Sequence, residues 1–466
     1  MKRLYMLVIL SCLLLASHAQ DIYICKDDYY TKQNISEGLT INLQDAPDSI
    51  TFKKPIMHPV VEIVYNGTGA NVTIPSYMKD SVTCTRLNGL DSYVYLEYTG
   101  SSDEIIYDVT GSSPNGALII KSDYKMQVNL NGVTLNSSCG EAMRFKCGKR
   151  IALVMADGSE NTFTDSDVED TPIPVAEGEE KDKHKACIYT KGHLEISGNG
   201  TLNVTGNFNH AIDTKEHLKI KKTVKAINIR GAKGDGIHAG EFFEMNGGVV
   251  TIDNTAIKDG IQVEYKRDDE GKKIDDVENT GDITINGGTI NITQSQTEDV
   301  KCMKAENSIA INGGTLLLYA SANGTRGIQA GRDITISQAE DATTNITIYA
   351  QGAKCSLVEH KEDPDKCMGI NVGHNAEIKG GTMNIFATGA SANGLKADNN
   401  LIISGGETTI QAKGTSVNGM KIGNSVTITG GSTIVTNEGN GSKGVIYSGS
   451  WSYTGGSFKS SKPIKK

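Results

Sequence analysis

The stretch Asn393–Val417, NGLKADNNLIISGGETTIQAKGTSV, runs straight into Asn418–Ser442, NGMKIGNSVTITGGSTIVTNEGNGS. Each segment is 25 residues long, and both place a small residue, an apolar residue, a polar turn, a short alternating stretch, Gly-Gly and a second alternating stretch at the same offsets. Short alternating runs separated by Gly and Asn favour strands over helices. The small-residue slot at Gly394 and Gly419 recurs forward at Gly444, and backward at Gly369, Gly327, Cys302, Gly260, Gly236, Ala211, Cys187, Ala142 and Gly116. Most steps are near 25 residues, while the steps Gly260–Cys302 and Gly327–Gly369 are 42 and so carry 17 extra. A repeat this long and this sustained is the signature of a stacked architecture.

The residue after the slot is apolar almost throughout, as in Ile188, Ile212, Ile237, Ile261, Met303, Ile328, Ile370, Leu395, Met420 and Val445. Three short strands per repeat, each pairing with its counterparts one repeat away, close into a parallel β-helix with inward ladders of Ile, Leu, Val and Met. Gly at the turns allows positive φ or close backbone approach. The expected fold is therefore all-β, a single-stranded right-handed parallel β-helix of approximately 25-residue coils spanning residues 106–460. Residues 21–105 carry the period poorly and read as an irregular β region that caps an otherwise unpaired edge. Trp451, Tyr453 and Phe458 read as the cap of the other end. Three highly charged insertions, near 158–185, 265–279 and 353–366, read as solvated loops or as a shared rim that grips a ligand or a metal.

Residues 1–20, MKRLYMLVILSCLLLASHAQ, have the form of a secretory signal cut near Ala19 or Gln20, which predicts a secreted, periplasmic or cell-surface protein. No later run of apolar residues is long enough for a membrane span. The formal charge is −9, or −11 without Lys2 and Arg3, and argues against nucleic acid as a partner because phosphate binding rests on concentrated positive charge. Nine cysteines are present, Cys12 among them in the signal. An exported compartment permits disulfides, so Cys355 and Cys367, at the two ends of an insertion, are expected to form a staple, with Cys139 and Cys147 a weaker pair.

Asp235 and Asp259 each stand just before the slot, one coil apart, so stacking would bring two carboxylates together. Such a pair raises a pKa or calls for a cation. Calcium suits carboxylate and carbonyl oxygens, and Asp299, Glu298 and Asp213 are further candidate ligands. The alternative is that these Asp residues only cap Gly turns. Were the chain an enzyme, Lys301, or His238, would serve as the base of a calcium-dependent uronate lyase. Aromatics are 6% of the chain and Trp451 is its one Trp, so a broad aromatic sugar platform is absent, although Tyr447, Trp451 and Tyr453 would form a small one. Rows of Asn, Thr, Gln and Lys would bind a polar or acidic polysaccharide along the rod.

The ordered succession VNLNGVTLNSSCGEAMRF, IALVMADGSENTFTD, KACIYTKGHLEISGNGTLNVTGNFNHAI and KGDGIHAGEFFEMNGG resembles the carbohydrate-binding domain-containing proteins, of the bacterial cellulose- and pectin-binding β-helix type, over about residues 127–456. The resemblance implies a right-handed parallel β-helix related in form to polysaccharide lyases, with bound calcium and carbohydrate binding in place of catalysis. Its acidic Gly turns correspond to Asp235 and Asp259. The matching positions of other coils hold His210, Lys301, Arg326, Met368, Asn393, Asn418 and Lys443, a departure from the family pattern that bears on both the ion sites and the ligand.

Overall fold

The computed structural model describes residues 60–100, 104–169, 183–356 and 366–466, together with the backbone of three strands, Asp21–Lys26, Tyr29–Asn34 and Ser49–Thr51. The expected signal segment and the middles of the first and third charged insertions lie outside the described residues.

The repeat read from Asn393 becomes three strands per coil: Asn393–Ala397 on what we term the slot face, Leu401–Ile403 on the second face and Glu407–Lys413 on the third. Each pairs in parallel with the strand 25 residues further on, Asn418–Ile422, Val426–Ile428 and Ser432–Glu438, in the register Leu395↔Met420, Leu401↔Val426 and Ile410↔Val435. The slot face forms one 15-stranded sheet from Val82–Arg86 to Ile464–Lys465, whose first pairing alone is antiparallel. The other two faces divide at Met126–Asn136, a strand long enough to pair with Ile151–Met155 through its first half and Glu160–Thr164 through its second. The chain is thus an all-β, parallel-strand solenoid; a single 3-10 turn, Ser76–Met78, is the helical structure among the described residues.

The interior follows from the sequence column by column. Ile188, Ile212, Ile237, Ile261, Met303, Ile328, Ile370, Leu395, Met420 and Val445 stack in register down the slot face, and all are buried. Burying apolar side chains in continuous ladders supplies most of the driving force, at about 25 cal/mol per Å². The small residue beside each of them has a packing cause. A β-carbon on Gly394 would lie 2.5 Å from both the Gly419 carbonyl oxygen and Ile410 Cγ2, so the space that a larger residue needs is filled by the third face of the same coil. Ala211, Cys187 and Cys302 occupy the same slot fully buried, and the two cysteines stand there as small core residues outside any disulfide.

Parallel stacking also reaches further back than residue 106. Val60–Asn66 pairs in parallel with Ile105–Ser113, and Tyr93–Tyr98 with Ala117–Ser122. Antiparallel hairpins then cover the edge, with Val60–Asn66 pairing to Ala70–Thr73 and Tyr93–Tyr98 pairing to Val82–Arg86. At the other end, Trp451 and Phe458 meet edge to face with centroids 5.1 Å apart, and Tyr447 leans on Trp451 at 5.6 Å, all three packed on the last rungs of the core.

The expected Cys355–Cys367 staple is not made. Lys354 and Lys366 bridge antiparallel, which puts the two cysteines diagonally across the insertion neck, a relation whose usual separation of about 7–8 Å exceeds disulfide reach. Cys367 turns into the interior as a free thiol, its Sγ 3.3 Å from the Ala320 carbonyl oxygen, while Cys355 Sγ faces Glu298. Cys139 and Cys147 are likewise unbridged: the Cys147 thiol points at the Tyr124 carbonyl oxygen, 3.1 Å away.

Candidate functional site

The three charged insertions all flank the slot face. The first and third leave where the third face turns into it, before Ala186–Thr190 and Met368–Val372, and the second leaves where it turns into the second face, after Ile261–Val263. Each is anchored by buried or multiply bonded polar groups. His184 Nε2 meets Asp165 Oδ2 at 2.9 Å and its Nδ1 meets the Val168 carbonyl at 2.7 Å. Asn279, almost wholly buried, accepts the Lys266 N–H and donates to the Lys266 and Ile274 carbonyls. Glu298 accepts from Ser356 N at 2.6 Å, from Ser356 Oγ and from Asn323 Nδ2. On the slot face the outward side chains of successive coils form one row along the rod, Asp213, His238, Gln262, Lys304, Gln329, Asn371, Lys396 and Lys421. Strand alternation forces this: with Ile237 inward and Ala239 inward, His238 must face out.

One hydrogen bond crosses the rungs of the row, Lys304 Nζ donating to Gln262 Oε1 at 3.3 Å; within one strand Arg326 donates to Gln329 Oε1 at 2.5 Å, and Asn371 Oδ1 is a buried acceptor with no hydrogen bond. His238 Nδ1 lies 2.8 Å from Asp213 Oδ1, and its ring stacks on His210 with centroids 4.8 Å apart. Burial opposes charge on His238, but the Asp213 carboxylate, with Glu264 and Asp235 beyond it, outweighs burial and pushes its pKa up to about 10. Asp213 is held below the usual range despite its burial, and Glu264 is held at about 2 by His238. His238 is therefore an imidazolium at neutral pH, a donor and not a base.

The expected metal ligands do not converge. Asp235 Oδ1 accepts the Asp259 N–H at 2.9 Å, Asp259 Oδ1 accepts the Lys301 N–H at 2.7 Å, and His210 Nδ1 accepts the Asp235 N–H at 3.0 Å. The column is a ladder in which each side chain accepts a backbone N–H of the next coil. Burial and the neighbouring Asp235 push the Asp259 carboxyl up. Glu298 is drawn away to Ser356, and Asp299, held at a φ of 56°, takes the Lys301 ammonium. Calcium wants about six to eight oxygens in its shell. Asp213 is bound to an imidazole, and the second oxygens of Asp235 and Asp259 face His210 Nδ1 at 3.1 Å and Lys304 Nζ at 3.6 Å, so the set as arranged turns nitrogens and not further oxygens toward these carboxylates and falls short of a calcium shell. Lys301 is equally committed, its Nζ 2.6 Å from the Asp299 carbonyl oxygen within its own turn. Tyr453 donates to the Gly456 carbonyl at 2.9 Å, and Tyr447 and Trp451 belong to the terminal packing described above.

A model of the carbohydrate-binding domain-containing proteins matches residues 97–411, more than half of the chain. The chain belongs to that family. A curated member from Acetivibrio thermocellus is 30% identical over 126 residues, covering 26% of this chain and 42% of that protein, so the chain spans less than half of its relative's length. Among solved structures, the polysaccharide lyase-like protein from C. thermocellum, in a gadolinium derivative, is 22% identical and superposes with a TM-score of 0.42 over 60% of this chain and 98% of that one.

Two features of the described molecule escape the sequence pattern. Tyr319, Tyr349 and Phe386 stack on three successive coils of the third face, with centroids 4.6 and 4.9 Å apart and planes within 11° of parallel. Stacked this way they present edges outward, which suits a packing ladder better than a sugar platform. The spacing of 30 and 37 residues between them, through loops of unequal length, hides the alignment. The second is a histidine and carboxylate group at the corner between the slot and second faces, around His193 and His217.

Proposed function

We propose that this chain is an exported, noncatalytic polysaccharide-binding solenoid that lays a glycan chain, acidic cell-wall polysaccharides foremost, along the slot face. The observation that carries the reading is the in-register outward row from His238 to Lys421. Rungs about 4.8 Å apart are comparable to the length of one pyranose unit in an extended chain, so a linear polymer meets a donor or acceptor at each step. Lys304, Lys396, Lys421 and the His238 imidazolium give the row cations for a uronate in spite of the chain's negative total, since local fields and not net charge decide such contacts. The family membership supports carbohydrate as the ligand class. The coils are read as a right-handed single-stranded β-helix, because parallel strands of one sheet joined by a crossover are right-handed in nearly all proteins.

Lys421 is exposed, and Asn371 stands two coils back in the same row. Lys421→Glu combined with Asn371→Ala should weaken retention on polygalacturonate in affinity electrophoresis by about tenfold or more, equivalent to about 1.4 kcal/mol. Unchanged retention would remove the slot face from the reading. Calcium has no part in this contact, so retention should survive EGTA.

A uronate lyase is the second reading, favoured by the cationic row. It predicts new absorbance at 235 nm from unsaturated products and its loss in Lys301→Ala; the noncatalytic reading predicts a flat trace.

A further inference from the structure

At the corner between the slot and second faces, His193 and His217 occupy equivalent positions of consecutive coils, just ahead of the paired Leu194 and Leu218. The second insertion folds back over them and delivers Glu278 and Lys266, fixed in place by the buried Asn279 beside Glu278. One donor atom each of His193, His217 and Glu278 lies within 4.8 Å of the others.

What distinguishes this group from the His210, Asp213 and His238 group is unmet bonding capacity. In the latter, His238 Nδ1 and His210 Nδ1 are both hydrogen-bonded. Here His193 Nε2 meets Glu216 Oε2 at 2.8 Å, but His217 is only 2% exposed and its Nδ1 makes no hydrogen bond, and Glu241, 3% exposed, leaves its Oε2 equally unmet. Leaving such buried atoms unbonded carries their full desolvation cost. Nδ1 lies 3.6 Å from Glu241 Oε2 and 3.7 Å from Glu278 Oε2. Those separations are too long for hydrogen bonds, yet they match the edge of a tetrahedron whose centre-to-ligand bonds are about 2.1 Å, roughly 3.4 Å. The Phe242 ring stacks on His217 with centroids 4.3 Å apart and fixes the orientation of the imidazole. Lys266 Nζ, 2.6 Å from Glu216 and 3.3 Å from Glu241 Oε1, balances the carboxylates not turned to Nδ1.

We propose that His193, His217 and Glu278 bind one divalent transition-metal cation of the zinc class, which clamps the second insertion onto the solenoid. Two imidazoles with carboxylates suit zinc and its first-row neighbours and not calcium. The nearly half-exposed Glu278 side chain gives the ion a way in. The site is independent of the glycan reading.

The test is titration of the full chain, first dialysed against chelator, with Zn(II), following stoichiometry by calorimetry and the melting temperature in parallel. The expected result is one zinc per chain and a melting temperature that rises with zinc. Glu278→Gln should weaken binding about tenfold or more while leaving the zinc-free melting temperature unchanged, His217→Gln should abolish it, and His238→Gln should leave it intact. Absence of binding by the folded chain, or binding that Glu278→Gln leaves untouched, overturns the proposal.

Discussion

At the scale of the residue, the slot glycines and the His238 imidazolium set the most exacting demands. Gly394 has no room for a methyl group, since its missing β-carbon would fall 2.5 Å from a backbone oxygen of the next coil. Gly394→Ala should therefore destabilise by about 1–3 kcal/mol in urea unfolding, whereas Ala211→Gly, in the same column, should have a smaller effect. His238 has a folded pKa near 10 against 6.5 when free. A raised pKa stabilises fully below the unfolded value and is lost as pH climbs through the folded one. The melting temperature is expected to fall between about pH 6.5 and pH 10, and His238→Gln should flatten that slope. Glu264, lowered to about 2 from 4.5, works in the opposite sense: its contribution is present above 4.5 and fades as pH drops toward 2.

At the scale of the element, the third-face ladder contains a defect. Met383, Thr408, Thr433 and Phe458 stack in register, and the hydroxyls of Thr408 and Thr433 are buried without a hydrogen bond. Thr408→Val keeps the branched shape and removes an unmet hydroxyl, so it should raise stability by about 1 kcal/mol in the same unfolding measurement. The strands themselves were legible from sequence because alternation and Gly-Gly turns recur at one period, and the apolar column read from Ile188 to Val445 is the column that stacks. Asp235 and Asp259 were legible as neighbours, but not the fate of their oxygens, which depends on where each backbone N–H of the following coil points. The histidine group at His193 and His217 lay hidden for a related reason: its carboxylates come from the next coil and from the far end of a 15-residue insertion, so no local spacing announces it. The Cys355–Cys367 staple failed at this scale too, through the pairing register of one short neck.

At the scale of the whole molecule, a solenoid converts sequence period into rows, and rows into a linear binding surface. A shallow hollow bordered by Asp108, Thr110, Asn129 and Asn131 sits on the early coils, away from the slot face. Insertions at both edges add relief to the slot face without disturbing the ladders beneath, since each leaves and returns between strands that keep their register. Lys301 and the Asp235 column serve the stacking of coils, while in the outward row Lys396 pairs with Asp398 at 2.8 Å and Lys304 lies 3.6 Å from Asp259, pairings that a uronate would have to share. The central claim is that this row holds a polysaccharide without cleaving it. Its most direct test is a calorimetric titration of the chain with polygalacturonate, read together with absorbance at 235 nm in the same cell contents. Saturable binding that Lys421→Glu with Asn371→Ala weakens about tenfold, with no rise in absorbance, is the predicted result. Absence of binding by the folded chain, or a rising absorbance that Lys301→Ala removes, would contradict it.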